Sequence, residues 1–368
     1  MKHVLENKLN SFLEKKKFKN ILIITGQKSF NFSGFKKLAI YKNFKSIMTI
    51  LYKKSEIPEI CELEYLIKKI NIINPDLIIA LGGGCVIDYS KLANVLYGIK
   101  NLKKKIKNGT LRIQSKKTKI LAIPTTAGSG AEATKFSVIY IDKIKYSVEN
   151  NLLKPDFFSL IPKLVIKSPK IVRASSGFDA IAQAVESIFS KKTNIRSLKY
   201  SSKSLRLSIR CFLEFVNNPN HNNGFQMLKA ANFSGKSINI AKTNAPHAFS
   251  YFFTSQFKIP HGIAVSIFFI EIINFYYLAA NKKNNINLIK KFEIFFKLIK
   301  QSNLMDFNRL FNKFLIKSGI QKYLNKKLKK IKYTNNNKFY YNLDRFKNAP
   351  IKILKKDINH FFLKKINI

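Results

Sequence analysis

DLIIALGGGCVIDYSK, Asp76 to Lys91, is an apolar run stopped by three glycines that then opens a new segment. The run (76–81) reads as a buried strand. Gly82, Gly83 and Gly84 make a tight turn, and Cys85 onward reads as a helix. Glycine lets the backbone come close to a ligand, and the first N–H groups of a helix attract phosphate. Outward from this point the pattern repeats. KNILIIT (19–25) is a strand ending at Gly26, SIMTILY (46–52) a second, and KILAIP (119–124) a fourth. Between them, Ile60, Leu63, Leu66, Ile67, Ile70 and Ile73 recur at helical spacing within 58–73. Strands alternating with helices predict a mostly parallel sheet with helices on both faces, an α/β Rossmann-like domain over 1–165.

Beyond about residue 165 strand-like runs fade. Amphipathic helical patterns follow at 177–190, 199–216, 224–241, 262–280 and 283–300, so an all-α domain is expected over 166–368. The lysine- and asparagine-rich tail from about 320 reads as a solvated loop or loose helix.

A second turn, IPTTAGSGAEAT (123–134), also leaves a strand. It offers the hydroxyls of Thr125, Thr126, Ser129 and Thr134 beside Gly128 and Gly130. Two such turns at the C-terminal ends of parallel strands mark a ligand crevice and point to a phosphate-bearing cofactor.

The charge is extreme: 67 Lys and Arg against 20 Asp and Glu give +47. Nucleic-acid binding is the first class such a value suggests. Arginine, the residue suited to bidentate phosphate and guanine recognition, occurs only seven times, and the lysines run along the whole chain with abundant Asn, Ile and Phe. That pattern fits compositional drift better than a nucleic-acid surface, and a lysine-rich surface still attracts anionic small molecules. Cys61, Cys85 and Cys211 form no disulfide or metal pattern, which fits a reducing, cytoplasmic setting. The N-terminus lacks the apolar core of a signal peptide. The most apolar run, 263–280, carries Glu271 and Asn274 and reads as a buried helix.

ASSGFDAIAQAVES (174–187) reads as a serine-glycine cap followed by a helix. Asp179 and Gln183, four apart, share a face of it, and each offers an oxygen to a metal. His247 and His261, fourteen apart in a stretch poor in charge, would come from two separate elements. One Asp and two His with an open position suit Zn²⁺ or Fe²⁺.

GGGxxxD (82–88), PTTAGSGAEAT (124–134), SSGFDAIAQAVES (175–187) and HAFSYFFTSQFKIPHG (247–262) occur in one order. Together they resemble the iron-dependent (group III) alcohol dehydrogenases, relatives of dehydroquinate synthase. The resemblance covers roughly 19–275 and returns at NLDRFKNAPIKILKKDI (342–358). It implies NAD(P)H, with Gly82, Gly83, Gly84 and Asp88 at the pyrophosphate and Thr125, Thr126 and Ser129 along the ribose and nicotinamide. It implies a metal, Fe²⁺ or Zn²⁺, on Asp179, Gln183, His247 and His261. Gln183 stands where the family usually has histidine, and so does Tyr251, which takes the catalytic proton-relay role. Ala131 replaces a usual serine and Ile161 a usual aspartate. AANFSGKSINIAKTNAPHAFSY (230–251), with Gln183 and Tyr251, resembles the phosphonoacetaldehyde reductase-type branch. The activity implied is reduction of a small, anionic aldehyde to its alcohol, with Lys236 and Arg173 as candidates to meet the anion. No specific nucleic acid and no membrane is expected as a partner, and a homodimer is allowed. The other readings are a dehydroquinate synthase-like or glycerol dehydrogenase-like sister enzyme, a catalytically decayed member and a basic nucleic-acid-binding protein.

Overall fold

The computed structural model describes residues 1–33, 47–329, 343–354, 357–358 and 361. The expectations for Ser46, for the tail over 330–342 and for part of the closing motif lie outside them. The chain divides into two units, Met1–Ser168 with Asn220–Leu228, and Pro169–Pro219 with Lys229–Ile368.

In the first unit the elements run β1 (Lys2–His3), α1 (Leu9–Lys15), β2 (Asn20–Gly26), α2 (Gln27–Ser33), β3 (Ile47–Lys53), α3 (Ile60–Ile73) and β4 (Leu77–Gly82). They continue through α4 (Gly84–Val95), α5 (Leu102–Lys107), β5 (Lys119–Pro124), β6 (Phe136–Ile141), β7 (Ile144–Glu149), β8 (Phe157–Phe158) and α6 (Pro162–Ile166). Six strands form one parallel sheet in the order β1-β8-β5-β4-β2-β3. Ile21 and Ile23 face one side, Leu22 and Ile24 the other, and all four are buried. Such unbroken apolar strands belong to a sheet covered on both faces. Asp76 fixes the register at one end: its carboxylate accepts from the N–H groups of Lys19 (2.6 Å) and Asn20 (3.0 Å). At the other end Gly82 pairs with Pro124, so both glycine turns leave neighbouring strands at the same level.

Four strands, β1, β6, β7 and β8, were not foreseen. β6 and β7 form an antiparallel hairpin whose turn residues, Asp142 and Lys143, both have positive φ (51° and 63°). Hairpin turns of that hand favour Asn-Gly or Asp-Gly, and lysine gives no such signal. β1 pairs with β8 over only two residues, too short for periodicity to show.

The second unit is helical. It contains α7 (Lys170–Phe189), α8 (Ile195–Asn217), most of α9 (His221–Ala241), α10 (Ala245–Phe257) and α11 (His261–Ser266). Further on lie α12 (Phe269–Lys282), α13 (Ile286–Ile299), α14 (Leu304–Lys317), α15 (Ile320–Leu328) and the short α16 (Leu343–Phe346). Phenylalanines tie it together: Phe178 packs edge-on to Phe212, Phe269 and Phe311. The stretch His261–Lys282 is long and apolar enough to cross a membrane by length and composition, but 61% of its most apolar window is buried within the protein. α7 begins at Lys170, behind Pro169, so the expected cap at Ser175-Ser176-Gly177 lies inside the helix. The small residues there serve a close helix contact instead.

Candidate functional site

Asp179, Gln183 and Glu186 sit at i, i+4 and i+7 on α7, one face of one helix, and all three are buried. His247 stands in the first turn of α10. That helix is capped by Asn244, whose Oδ1 accepts from the Ala245 N–H (2.8 Å). The chain leaves α10 through Lys258 at φ 52° and reverses at Ile259-Pro260. His261 therefore opens α11 close to where His247 began, and the two imidazole centroids are 5.3 Å apart. Gly262 holds α11 there: its N–H donates to Ser175 Oγ (3.1 Å), and a Cβ would lie 1.9 Å from the Ser175 carbonyl oxygen. Only glycine permits that approach beside Asp179.

One ligating atom each from Asp179, His247 and His261 falls within 4.8 Å of the others. His247 Nε2 is 3.1 Å from Asp179 Oδ1, and Nδ1 hydrogen-bonds Glu186 Oε1. Glu186 is fully buried, and its other oxygen accepts from the Asn244 N–H (2.6 Å). This is the carboxylate–histidine arrangement that orients a metal-binding imidazole. Burial pulls the His247 imidazole down, but the carboxylates of Glu186 and Asp179 outweigh it and bring it up to about 9. Burial raises Asp179, yet the His247 hydrogen bond, His261 and Gln183 hold it below its ordinary value. Gln183 hydrogen-bonds Asp179, and its Oε1 takes the Ser234 hydroxyl at 3.0 Å. Tyr251, one turn after His247, is buried with its ring 6.4 Å from that of His261 and nearly parallel to it. Two imidazoles and a carboxylate, largely buried, are a donor set that suits a divalent transition metal, whereas the Gln183 oxygen as placed faces Ser234.

In the first unit the two glycine turns lie against each other. A Cβ on Gly83 would meet Thr126 Oγ1 at 3.3 Å, and one on Gly84 would meet Ser129 Oγ at 2.9 Å. A Cβ on Gly82 would strike Val86 at 2.5 Å, and the Gly82 carbonyl accepts from the Thr125 N–H (3.0 Å). Gly83 caps α4, so the first N–H groups of that helix open beside the hydroxyls of the second turn. Gly83, Gly84, Thr126 and Ser129 are half-buried, whereas Gly82 and Thr125 are buried. Asp88 and Thr134 are engaged elsewhere. Asp88 accepts from the Val138 N–H (3.1 Å), and Thr134 accepts from Lys91 Nζ (3.1 Å). Lys91 is fully buried; it also donates to the carbonyls of Ala131 (3.1 Å) and Phe136 and lies 3.8 Å from Asp88. Burial drives the Lys91 ammonium down to about 8, with Asp88 and Glu132 opposing. Asp88, Lys91 and Thr134 thus brace the second turn against α4.

Sequence reasoning missed Lys91 and Glu186. The signal for Glu186 was its place on the face of Asp179 and Gln183; for Lys91 it was the three-residue spacing from Asp88. Of the two anion candidates, Arg173 donates through Nε and Nη2 to the Val216 carbonyl (3.3 and 2.9 Å). Lys236 rests 5.3 Å over the Phe233 ring. Ile161, in place of the usual aspartate, is buried in the core of the first unit.

Two family models match the chain. "Iron-containing alcohol dehydrogenase" spans residues 4–162, and "Fe-containing alcohol dehydrogenase family, C-terminal" spans 173–334. An alcohol dehydrogenase of Thermococcus barophilus is 30% identical over 226 residues, 58% of this chain and 57% of that protein. A 4-hydroxybutyrate dehydrogenase of Clostridium kluyveri is 28% identical over 218 residues, 58% of each. The chain thus spans a little over half the length of these curated relatives. Among solved structures, the iron-containing alcohol dehydrogenase of Thermococcus thioreducens superposes with a TM-score of 0.84 at 19% identity, covering 100% of this chain and 98% of that one. The sulfoacetaldehyde reductase of Bifidobacterium kashiwanohense, in complex with NAD⁺, gives 0.83 at 18%, covering 100% and 97%. At these identities the superpositions establish the fold, an α/β unit with a parallel sheet followed by a helical unit.

Proposed function

The chain belongs to the iron-containing alcohol dehydrogenase family, and from that premise we propose that it is a metal-dependent oxidoreductase interconverting a small aldehyde and its primary alcohol with NAD(P)H. The observation that carries this reading is the convergence of Asp179, His247 and His261, from three helices, onto one point. When bound, a divalent cation supplies Lewis acidity toward the carbonyl oxygen and a reduced nicotinamide supplies the hydride.

The chain's own residues have the following parts. Asp179, His247 and His261 hold the cation, with the Gln183 amide as the fourth donor. Glu186 accepts a hydrogen bond from His247 Nδ1–H, which leaves the unprotonated Nε2 to face the cation. Gly82, Gly83 and Gly84 let a pyrophosphate reach the N-terminus of α4, and the hydroxyls of Thr125, Thr126 and Ser129 meet the ribose and nicotinamide. Asp88, Lys91 and Thr134 keep those hydroxyls in place. Tyr251, stacked near His261, passes a proton to the product alkoxide. The protein's task is geometry and charge, because the cofactor carries the electrons.

The substrate proposed is an aldehyde bearing an anionic group, of which phosphonoacetaldehyde is the first to try. The sequence of 230–251 and the net charge of +47 support it. The deciding experiment is an aldehyde panel with NADH and NADPH, run anaerobically with Fe²⁺ and separately with Zn²⁺, alongside metal analysis of the purified protein. Stoichiometric metal and NAD(P)H oxidation with one member are expected. No metal uptake and no turnover would overturn the reading in favour of a decayed enzyme. Salt-sensitive DNA binding without any nicotinamide response would favour a nucleic-acid-binding protein.

A further inference from the structure

Ser234 lies on α9, fully buried, with its hydroxyl 3.0 Å from Gln183 Oε1 and 2.9 Å from the Ala231 carbonyl oxygen. Both neighbours are acceptors as placed, but a serine has one proton to give. The other end of the Gln183 carboxamide hydrogen-bonds the Asp179 carboxylate, where only the NH₂ can serve. As placed, the network runs in one direction. Asp179 takes an amide N–H, and Gln183 oxygen takes the serine proton.

We propose that Ser234 is the positioning residue that turns Gln183 into a metal ligand, by accepting the amide N–H when the carboxamide rotates half a turn. The inference rests on the reading of Gln183 as fourth donor. After rotation the Gln183 oxygen occupies the place beside Asp179, and the NH₂ points to Ser234 Oγ. The serine hydroxyl then donates to the Ala231 carbonyl alone, the i−3 bond that a helical serine makes readily. Either way the Ser234 hydroxyl and the Gln183 group that faces it keep each other as partners. The oxygen of an amide binds a cation, and its NH₂ does not. A partner that can both give and take a hydrogen bond is thus what makes glutamine workable at this position. Alanine at 234 leaves the rotated NH₂ without an acceptor in the metal-bound form and the Gln183 oxygen without its donor in the metal-free form; a buried N–H tolerates the loss less well than a carbonyl oxygen, so the difference weakens metal binding.

The test is a double-mutant cycle read by metal affinity, with Fe²⁺ and Zn²⁺ competed against a chromophoric chelator. Wild type, Ser234→Ala, Gln183→Ala and the double variant are compared. Ser234→Ala is expected to bind metal roughly three- to tenfold more weakly than wild type, and the loss to vanish in the Gln183→Ala background. Ser234→Cys keeps the volume and loses the strong acceptor, so it should weaken binding in the same sense even if the alanine variant folds poorly. Thermal melts in chelator show whether either variant damages the metal-free fold. Unchanged affinity in both Ser234 variants, or an equal loss in the Gln183→Ala background, overturns the proposal while leaving the metal site intact. A wild type that takes up no metal, or a Gln183→Ala variant that binds like wild type, overturns the underlying reading and this proposal with it.

Discussion

His247 lies between two carboxylates: its Nε2 is 3.1 Å from Asp179 Oδ1, and its Nδ1 bonds Glu186. One face of the imidazole's chemistry belongs to the candidate ion and the other to a fully buried anion. Glu186→Gln keeps the shape and removes the charge. Metal affinity is expected to fall about 10- to 100-fold, measured by chelator competition. If the variant binds as tightly as wild type, Glu186 does not orient His247.

The same pair sets a pH dependence for the metal-free protein. His247 is raised from 6.5 to about 9, so its stabilising contribution is full below 6.5 and is lost as pH climbs through 9. Asp179 is lowered from 3.8, so its contribution is present above 3.8 and fades as pH falls below that value. In chelator, the thermal midpoint should therefore decline between about pH 6.5 and 9. His247→Gln should flatten that limb. Metal affinity should rise over the same interval, because the ion displaces the Nε2 proton. Parallel rather than opposite trends would contradict the assignment.

Gly262→Ala places a methyl carbon 1.9 Å from the Ser175 carbonyl oxygen. Backbone cannot swing aside as a side chain can. Urea unfolding in chelator should show a loss of about 1–3 kcal/mol or more, together with weakened metal binding as α11 and His261 are pushed from α7. A variant with wild-type stability would mean that α11 slides freely.

Gly82→Ala collides with Val86, 2.5 Å from the added carbon, at the first turn of α4. NAD(P)H binding, followed by nicotinamide fluorescence, should weaken. Gly82→Ala with Val86→Ala should recover part of it by making room. Weakening that the second change does not relieve would point to backbone conformation and not to the collision.

Much of this was legible in the sequence, for reasons that differ by element. β2, β4 and β5 are apolar runs stopped by glycine or proline, and their limits fall within a residue of the expected ones. Helix positions came from spacing, but starts did not: α7 begins several residues before its expected onset because Pro169, not a serine, opens it. The single apolar helix expected over 262–280 is two, α11 and α12, split at Ile267-Phe268, where composition stays apolar and gives no break signal. Asp179, His247 and His261 could be picked as ligands by residue type. Glu186 shares the helix face of Asp179, but its role on His247, like that of Ser234 on Gln183, exists only once α7, α9 and α10 are packed. Thr134 and Asp88 show the reverse: polar residues in a glycine-rich motif whose side chains are spent on Lys91 and Val138.

Glu186 and Asp179 bring two negative charges into the helical interior. With both histidines neutral and Gln183 an amide, an ion of charge +2 leaves the pocket electrically neutral. A monovalent ion would leave one surplus negative charge there, and a trivalent one a surplus positive charge, at a largely buried site. The pocket thus discriminates by valence before it discriminates by element.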